Sequence, residues 1–215
     1  MKRVLSLVVL ALIVLPACKK EEAPPPPPPP PPPAPPTAEE LYQGAIGTIE
    51  ATLIPENADS PGKVRAALQG IQGELRAKQN GETALLKIAN DLKDRQKQAF
   101  ANEKWDMVIV VSEGVEFFEP GNGRTARYLE RALAEKNRPR VTVKGFYTDQ
   151  ETGAVIVFMD CYLPEQKKTE QVEARVGDEF FDLKLERIIG RNSAVELTYL
   201  RTGNKYQVKG PRTAS

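Results

Sequence analysis

The stretch Arg131-Ala132-Leu133-Ala134-Glu135-Lys136-Asn137-Arg138-Pro139-Arg140-Val141-Thr142-Val143 is where the chain changes character. Up to Lys136 the apolar residues Leu129, Ala132 and Leu133 recur three and four positions apart, the spacing of one helix face. Beyond Pro139, Val141 and Val143 alternate with polar residues, the spacing of a half-buried strand. Proline cannot continue a helix, and the period changes at the same point. The expectation is an α+β protein, with an N-terminal helical bundle over 37–138, a small antiparallel β-sandwich or barrel over 139–210 and a tail over 211–215.

Upstream of that junction the spacing predicts five helices. Thr37 and Glu40 form a capping-box pattern, and Leu41, Tyr42, Ala45, Ile46 and Ile49 follow at helical spacing. Ser60 is expected to cap a second helix with Pro61 at its first position, and Val64, Ala67, Leu68, Ile71 and Leu75 form its apolar face. A third helix, about Glu82 to Ala101, carries Leu85, Ile88, Ala89, Leu92 and Ala99 inward. Trp105, Val108, Ile109, Val111 and Val115 start a fourth, which ends before Pro120-Gly121-Asn122-Gly123.

The fifth helix, about Arg124 to Lys136, is expected to turn Leu129, Ala132 and Leu133 inward and Arg124, Arg127 and Arg131 outward. With Arg138, Arg140 and Lys144 this is the densest basic region in the chain. It reads either as a solvated face balanced by Glu130 and Glu135 or as a docking patch for an acidic partner or anionic lipid. Gly121-Asn122-Gly123-Arg124 lacks the full spacing of a phosphate-binding motif and reads as a turn.

The third and fourth helices together resemble one tetratricopeptide hairpin, with Trp105, Val108, Val115 and Pro120 at the positions where that repeat has an aromatic, two small residues and a closing proline. Valines stand in for alanines, Gln96 stands where glycine is expected, and a second complete copy is absent. A single copy reads as a scaffold with Trp105 in its core, because a binding groove normally takes several copies.

After Pro139 the turn signals separate five or six short strands. Val141, Val143 and Tyr147 begin the first, Ala154 to Leu163 is the most apolar, and Thr169 to Val176 places Val172, Ala174 and Val176 on one face. Leu183, Leu185 and Ile188 follow the Gly177-Asp178 turn; Val195, Leu197 and Tyr199 alternate next, and Tyr206 and Val208 alternate last. Cys161, in the most apolar strand, reads as a buried and inert thiol. The acidic run Asp178, Glu179, Asp182 and Glu186 reads as exposed turn and strand residues, with no nucleophile beside it.

The other end of the chain carries targeting signals. Lys2 and Arg3 precede an apolar run of twelve residues, Val4 to Leu15, broken only by Ser6. That run is too short to cross a bilayer core of about 30 Å and reads as a signal peptide over 1–17. Leu15-Pro16-Ala17-Cys18 resembles the bacterial lipobox, which implies lipidation of Cys18 and cleavage just before it. Several acyl chains on that cysteine would tether the mature protein to a membrane without spanning it. Lys19 after the cysteine resembles the outer-membrane default of Gram-negative sorting, so the expected location is the periplasmic face of the envelope, with the outer membrane favoured over the inner. The ten prolines from Pro24 to Pro33, extended to Pro36, read as a polyproline spacer of roughly 40 Å, which completes a segment 18–36 of lipidated cysteine and stalk.

Composition narrows the chemistry. The chain of 215 residues has a formal charge of +1, which falls to about −1 once Lys2 and Arg3 are removed, so nothing in its overall charge points to nucleic acid. Histidine is absent, and acylation of Cys18 leaves Cys161 as the sole thiol, which rules out an intrachain disulfide and a His-based or zinc catalytic site. A carboxylate or Ser-Lys enzyme is not excluded by composition, but no catalytic set, metal site or cofactor is expected.

The order Val176-Gly177-Asp178-Glu179-Phe180, Leu183-Lys184-Leu185-Glu186-Arg187-Ile188, Val195-Glu196-Leu197 and Thr202-Gly203 resembles the C-terminal β-domain of the type IV pilus lipoproteins of the PilP family and the homology region of the type II secretion C proteins. The resemblance covers about Val141 to Lys209. It implies a non-enzymatic periplasmic adaptor that contacts a secretin or a pilus-assembly subunit. Its recognition surface is then expected around Gly177, Asp178 and Phe180 and on the Tyr199 to Tyr206 hairpin, with Arg124, Arg127 and Arg131 as a second patch. The alternative is a carrier or chaperone that holds a peptide or lipid in the helical half, which calls for a deep apolar cavity lined by Trp105, Val108 and Phe118.

Overall fold

A computed structural model describes residues 32–211, so the expected signal peptide, the expected lipidation site Cys18 and most of the proline run lie outside the described residues. From Pro35 onward helices and strands belong to one compact unit. Five helices, α1 (Ala38–Glu50), α2 (Lys63–Arg76), α3 (Gly81–Ala101), α4 (Trp105–Phe118) and α5 (Gly123–Lys136), precede seven strands, which makes the protein α+β with its helices first.

The capping box predicted at the start of α1 is formed. Thr37 Oγ1 accepts from the Glu40 backbone at 3.2 Å, and Glu40 accepts from the Thr37 backbone at 2.7 Å. The start of α2 differs from expectation. Pro55–Asp59 forms a 3₁₀ turn, and Gly62, with φ of 98°, takes the left-handed cap position, so the helix begins at Lys63 and Pro61 lies outside it. Leu41, Ile49, Val64, Leu68, Leu85, Ile88, Leu92, Val111 and Val115 fill the core between the first four helices.

α3 and α4 form an antiparallel hairpin whose register is set by a buried polar pair. Gln96, the residue out of place for a tetratricopeptide, donates to Ser112 Oγ at 2.8 Å, and Ser112 donates to the Val108 carbonyl at 2.6 Å. A buried amide that finds its partner in only one register favours that register over its neighbours. α5 packs on the same hairpin through Ala132, which is buried with Ala99 and Val108. Phe100 stacks on Tyr128 at 4.1 Å and meets Trp105 edge-on at 5.7 Å, so Trp105 is a packing residue of this layer.

The strands form two antiparallel meanders: β1 (Arg140–Thr148), β2 (Val155–Leu163) and β3 (Lys168–Ala174) in one sheet, and β4 (Glu179–Phe180), β5 (Leu183–Ile189), β6 (Ala194–Tyr199) and β7 (Asn204–Lys209) in the other. They face each other across Val143, Val157, Met159, Cys161, Leu183, Leu185, Val195, Leu197 and Tyr199, which resolves the expected fold to a sandwich. β4 is the strand that the turn signals missed. Bulges between Val143 and Gly145 and between Leu185 and Arg187 shift the alternation. They explain why Tyr147 faces solvent while Val143 faces inward, and why Leu185 and Ile188 both pack on the core although they are an odd number of positions apart. Val176 is exposed, contrary to expectation, because β3 ends at Ala174 and the chain turns at Gly177.

Cys161 is fully buried, and burial followed by the nearby Asp160 charge pushes its thiol up to about 11. Burial also raises the Tyr199 and Tyr206 hydroxyls, against the opposing pull of Arg201 and Arg138 respectively. These groups hold their protons more tightly folded than unfolded. Their contribution is therefore complete below the ordinary thiol and phenol values and falls as pH rises through the folded ones. Denaturant melts should show stability dropping steeply above the ordinary thiol range; a flat profile from there through pH 11 would contradict the burial of Cys161.

Candidate partner-binding surface

The last turn of α5 is the seam between helices and sandwich. Only Asn137, Arg138 and Pro139 separate it from β1, so the helix end cannot move far from the sheets. Ala134 packs on the sandwich core, and its carbonyl accepts from the Tyr199 hydroxyl at 3.1 Å. Glu135 was expected to balance the basic face in solvent. Instead its side chain is 1 % exposed, and it accepts from Thr202 Oγ1 at 2.5 Å, from Asn204 Nδ2 and, at 3.2 Å, from Arg138. Three hydrogen bonds thus fasten the β6–β7 turn to α5, counting Arg131 to Asn204 Oδ1 at 3.1 Å, and Arg138 neutralises the Glu135 carboxylate beside them.

On the opposite side of the same helix end, Lys136 holds Asp59 at 2.7 Å and Asp106 at 3.0 Å. Burial lowers the Lys136 ammonium, and the two carboxylates more than offset that, so it stays above its ordinary value. The Asp106 oxygen is buried and gains charge attraction from Lys136 without a well-angled hydrogen bond. A cleft of about 900 Å³ lies here, with Trp105 and Lys104 on one wall and Arg138 and Arg140 on the other.

The predicted surface residues fall into separate places. Gly177 and Asp178 are exposed and form a turn clamped to β5: Gly177 takes φ of 98°, and Asp178 Oδ2 accepts from the Arg175 backbone at 2.8 Å. Phe180 is half-buried against the sandwich core, and the exposed ring belongs to its neighbour Phe181. Tyr199, expected on a recognition hairpin, is 1 % exposed because the sandwich core needs its ring and Ala134 its hydroxyl, so it cannot meet a partner directly. Tyr206 is half-buried under Arg138, whose guanidinium lies 4.5 Å from the ring centroid, and its hydroxyl is buried without a hydrogen-bond partner.

Arg124, Arg127 and Arg131 are exposed as expected. Leu133, expected inward, is 43 % exposed because Ala132 takes the position facing α3 and α4 while Ala134 and Glu135 face the sandwich. Asn122 caps α5 through its side-chain oxygen, which accepts from Arg124 and Thr125 at 3.0 and 3.2 Å. The glycine loop before α5 is therefore a turn, with its first amides already satisfied.

Three turns of the sandwich meet one another at this end, and two of them, β2–β3 and β6–β7, face α5. The Leu200 backbone donates to the Asp182 carbonyl at 2.8 Å, and Arg201 reaches Asp182 at 2.8 Å and Glu165 at 3.4 Å, linking the β2–β3, β4–β5 and β6–β7 turns. A groove of about 740 Å³ runs between α5 and these turns, bounded by Arg127, Arg131 and Leu133 on the helix and by Glu165, Arg201 and Thr202 on the sandwich. Leu200 and Phe181 stay exposed on the β6–β7 and β4–β5 turns. Arg127 and Arg131 are legible from their spacing, but nothing in the sequence marked Arg201, Phe181 or Leu200, which acquire their place only when the turns converge.

The cavity that a carrier would need around Trp105, Val108 and Phe118 is not formed: Val108 is fully buried, Trp105 packs on Phe100, and Phe118 meets Phe117 edge-on at 5.1 Å. A shallow apolar cleft of about 510 Å³ lies elsewhere, between the start of α2 and α4–α5, with Pro61, Ile109, Ala126 and Leu129 on its walls. Among the described residues no three Cys, Asp or Glu side chains converge to hold a metal ion, and no helix is long and apolar enough to cross a membrane. No protein-family model matches the chain, and no curated protein or solved structure matches it.

Proposed function

We propose that this chain is a lipid-anchored periplasmic adaptor of a bacterial envelope machine of the type IV pilus or type II secretion kind, and that its sandwich end binds a protein partner such as a secretin or pilus-assembly subunit. The observation that carries this reading is where the chain enters its folded unit. Pro36 sits beside the α2–α3 turn, its carbonyl accepting from Asn80 at 2.9 Å. α3 starts there and runs 21 residues, about 31 Å, to the layer where Phe100 meets Tyr128 of α5. The sandwich is fastened to the far end of that layer. An anchor at Cys18 and a proline spacer would therefore enter at one end and leave the sandwich at the other, the arrangement an adaptor needs for reach.

The anchor is tested by Cys18→Ser. Palmitate labelling and membrane fractionation of intact cells should show the wild-type chain labelled and membrane-bound, and the variant unlabelled and released or unprocessed. Equal labelling of both would remove the lipidation site, and with it the anchored reading.

A second reading, a carrier for a peptide or lipid, is supported by the apolar cleft beside Pro61 and Leu129. It predicts that an apolar fluorophore is taken up there and displaced by Ala126→Trp.

A further inference from the structure

We infer that the groove between α5 and the β6–β7 turn is a docking site for an acidic protein segment that carries an apolar anchor side chain. This inference rests on the adaptor reading and names the chemistry of the partner. Arg124, Arg127 and Arg131 stand at i, i+3 and i+7 on α5 and so share one helix face. Ion pairing is widespread elsewhere on this molecule, yet among the described residues none of the three lies within 4.0 Å of a carboxylate. Their hydrogen bonds go to neutral acceptors: Arg127 donates to the Gly123 carbonyl at 3.2 Å, and Arg131 to Asn204 at 3.1 Å.

Arg131 is also held in place by Phe100, whose ring centroid lies 5.5 Å from its guanidinium, so this charge is positioned before any partner arrives. Glu130 and Glu165 are the carboxylates on the groove wall, and Glu165 is taken by Arg201. The face is left positive. Leu133, 43 % exposed between these arginines and the sandwich, supplies an apolar contact in the same groove, with Ala134 behind it.

A protein segment fits this site better than a membrane surface for two reasons. The groove is concave, about 740 Å³ between a helix and a turn, whereas a headgroup layer meets convex or flat faces. It also lies at the end of the molecule away from Pro36, where the anchored segment enters. Guanidinium groups bind carboxylates in a bidentate manner, and Leu133 would select a segment in which acidic residues flank an apolar one.

The test uses the full chain held in neutral phosphatidylcholine nanodiscs, with fluorescence anisotropy for a short labelled peptide of alternating glutamate and leucine and for its lysine counterpart, and with co-sedimentation for phosphatidylglycerol vesicles. The acidic peptide should bind, with affinity that falls as salt rises, and the lysine peptide should not. Arg124→Glu combined with Arg127→Glu should weaken the acidic peptide at least about tenfold. Arg124→Gln with Arg127→Gln should weaken it less, and an unchanged circular dichroism melt should show that both variants are folded. Absence of acidic-peptide binding, binding indifferent to both variants, or arginine-dependent capture of vesicles in place of peptide would each overturn the proposal. None of these results bears on the adaptor reading, which stands or falls on partner capture from the sandwich in cells.

Discussion

Gly81→Ala should destabilise the folded unit by about 3 kcal/mol or more, the largest single-residue effect expected in the helical half. The cause is steric. α2 ends at Arg76 and α3 begins at Gly81, and a Cβ on Gly81 would lie 1.7 Å from the Leu75 carbonyl oxygen. That oxygen is backbone, so it cannot rotate away like a side chain. The turn is already committed by Asn80, which takes φ of 66°, and by its side-chain bond to Pro36. Relief would require α2 and α3 to separate, and Leu75, Leu85 and Ile88 would lose part of their packing. For a domain of this size the thermal midpoint should fall by roughly 6–12 °C. Gly73→Ala is the control: it sits exposed on α2 with open space around it, and it should be neutral or slightly stabilising. A Gly81→Ala melt within a degree of wild type would mean that the α2–α3 turn is not as tight as described.

Glu135→Ala carries the second large effect, about 2–3 kcal/mol, through a different mechanism. The carboxylate is buried at the α5–sandwich seam and satisfies Thr202, Asn204 and Arg138. Removing it leaves the two neutral donors without an acceptor in a closed environment, while Arg138, partly exposed, can turn to water. The loss should be local as well as global. Hydrogen exchange should quicken in the β6–β7 turn and in the last turn of α5 before it quickens in the α3–α4 core. Glu130→Ala, one turn earlier on the exposed side, should change stability by no more than about 0.5 kcal/mol. Equal effects at the two positions would contradict the seam.

The two residues illustrate what a linear sequence carries and what it leaves out. Helix existence, the Thr37–Glu40 capping box, the change of period at Pro139 and the buried thiol at Cys161 were legible, because each rests on contacts within one element or on a residue's own chemistry. The errors share one cause. Glu135 and Leu133 had their expected sides exchanged because the sandwich covers the end of α5 and leaves its flank open, a tertiary fact invisible to helical periodicity. The bulges at Gly145 and between Leu185 and Arg187 reversed the strand faces that simple alternation assigns. Ser60 and Pro61 offered a good helix start, but the 3₁₀ turn before them and Gly62 after them moved it two residues on. The candidate surface was half legible: α5 showed its arginines by spacing, whereas its opposite wall comes from the β2–β3 and β6–β7 turns, which meet only in the fold.

The adaptor reading is tested most directly by photo-cross-linking in intact cells, using the full chain with a photoreactive amino acid placed either at Leu200, exposed at the sandwich end, or at Leu86, exposed on α3 near the point where the chain enters. The prediction is capture of a secretin or of pilus-assembly or secretion subunits from Leu200 and not from Leu86. Capture of the same proteins equally from both positions, or of only lipid, peptidoglycan or assorted secreted chains from Leu200, would contradict it.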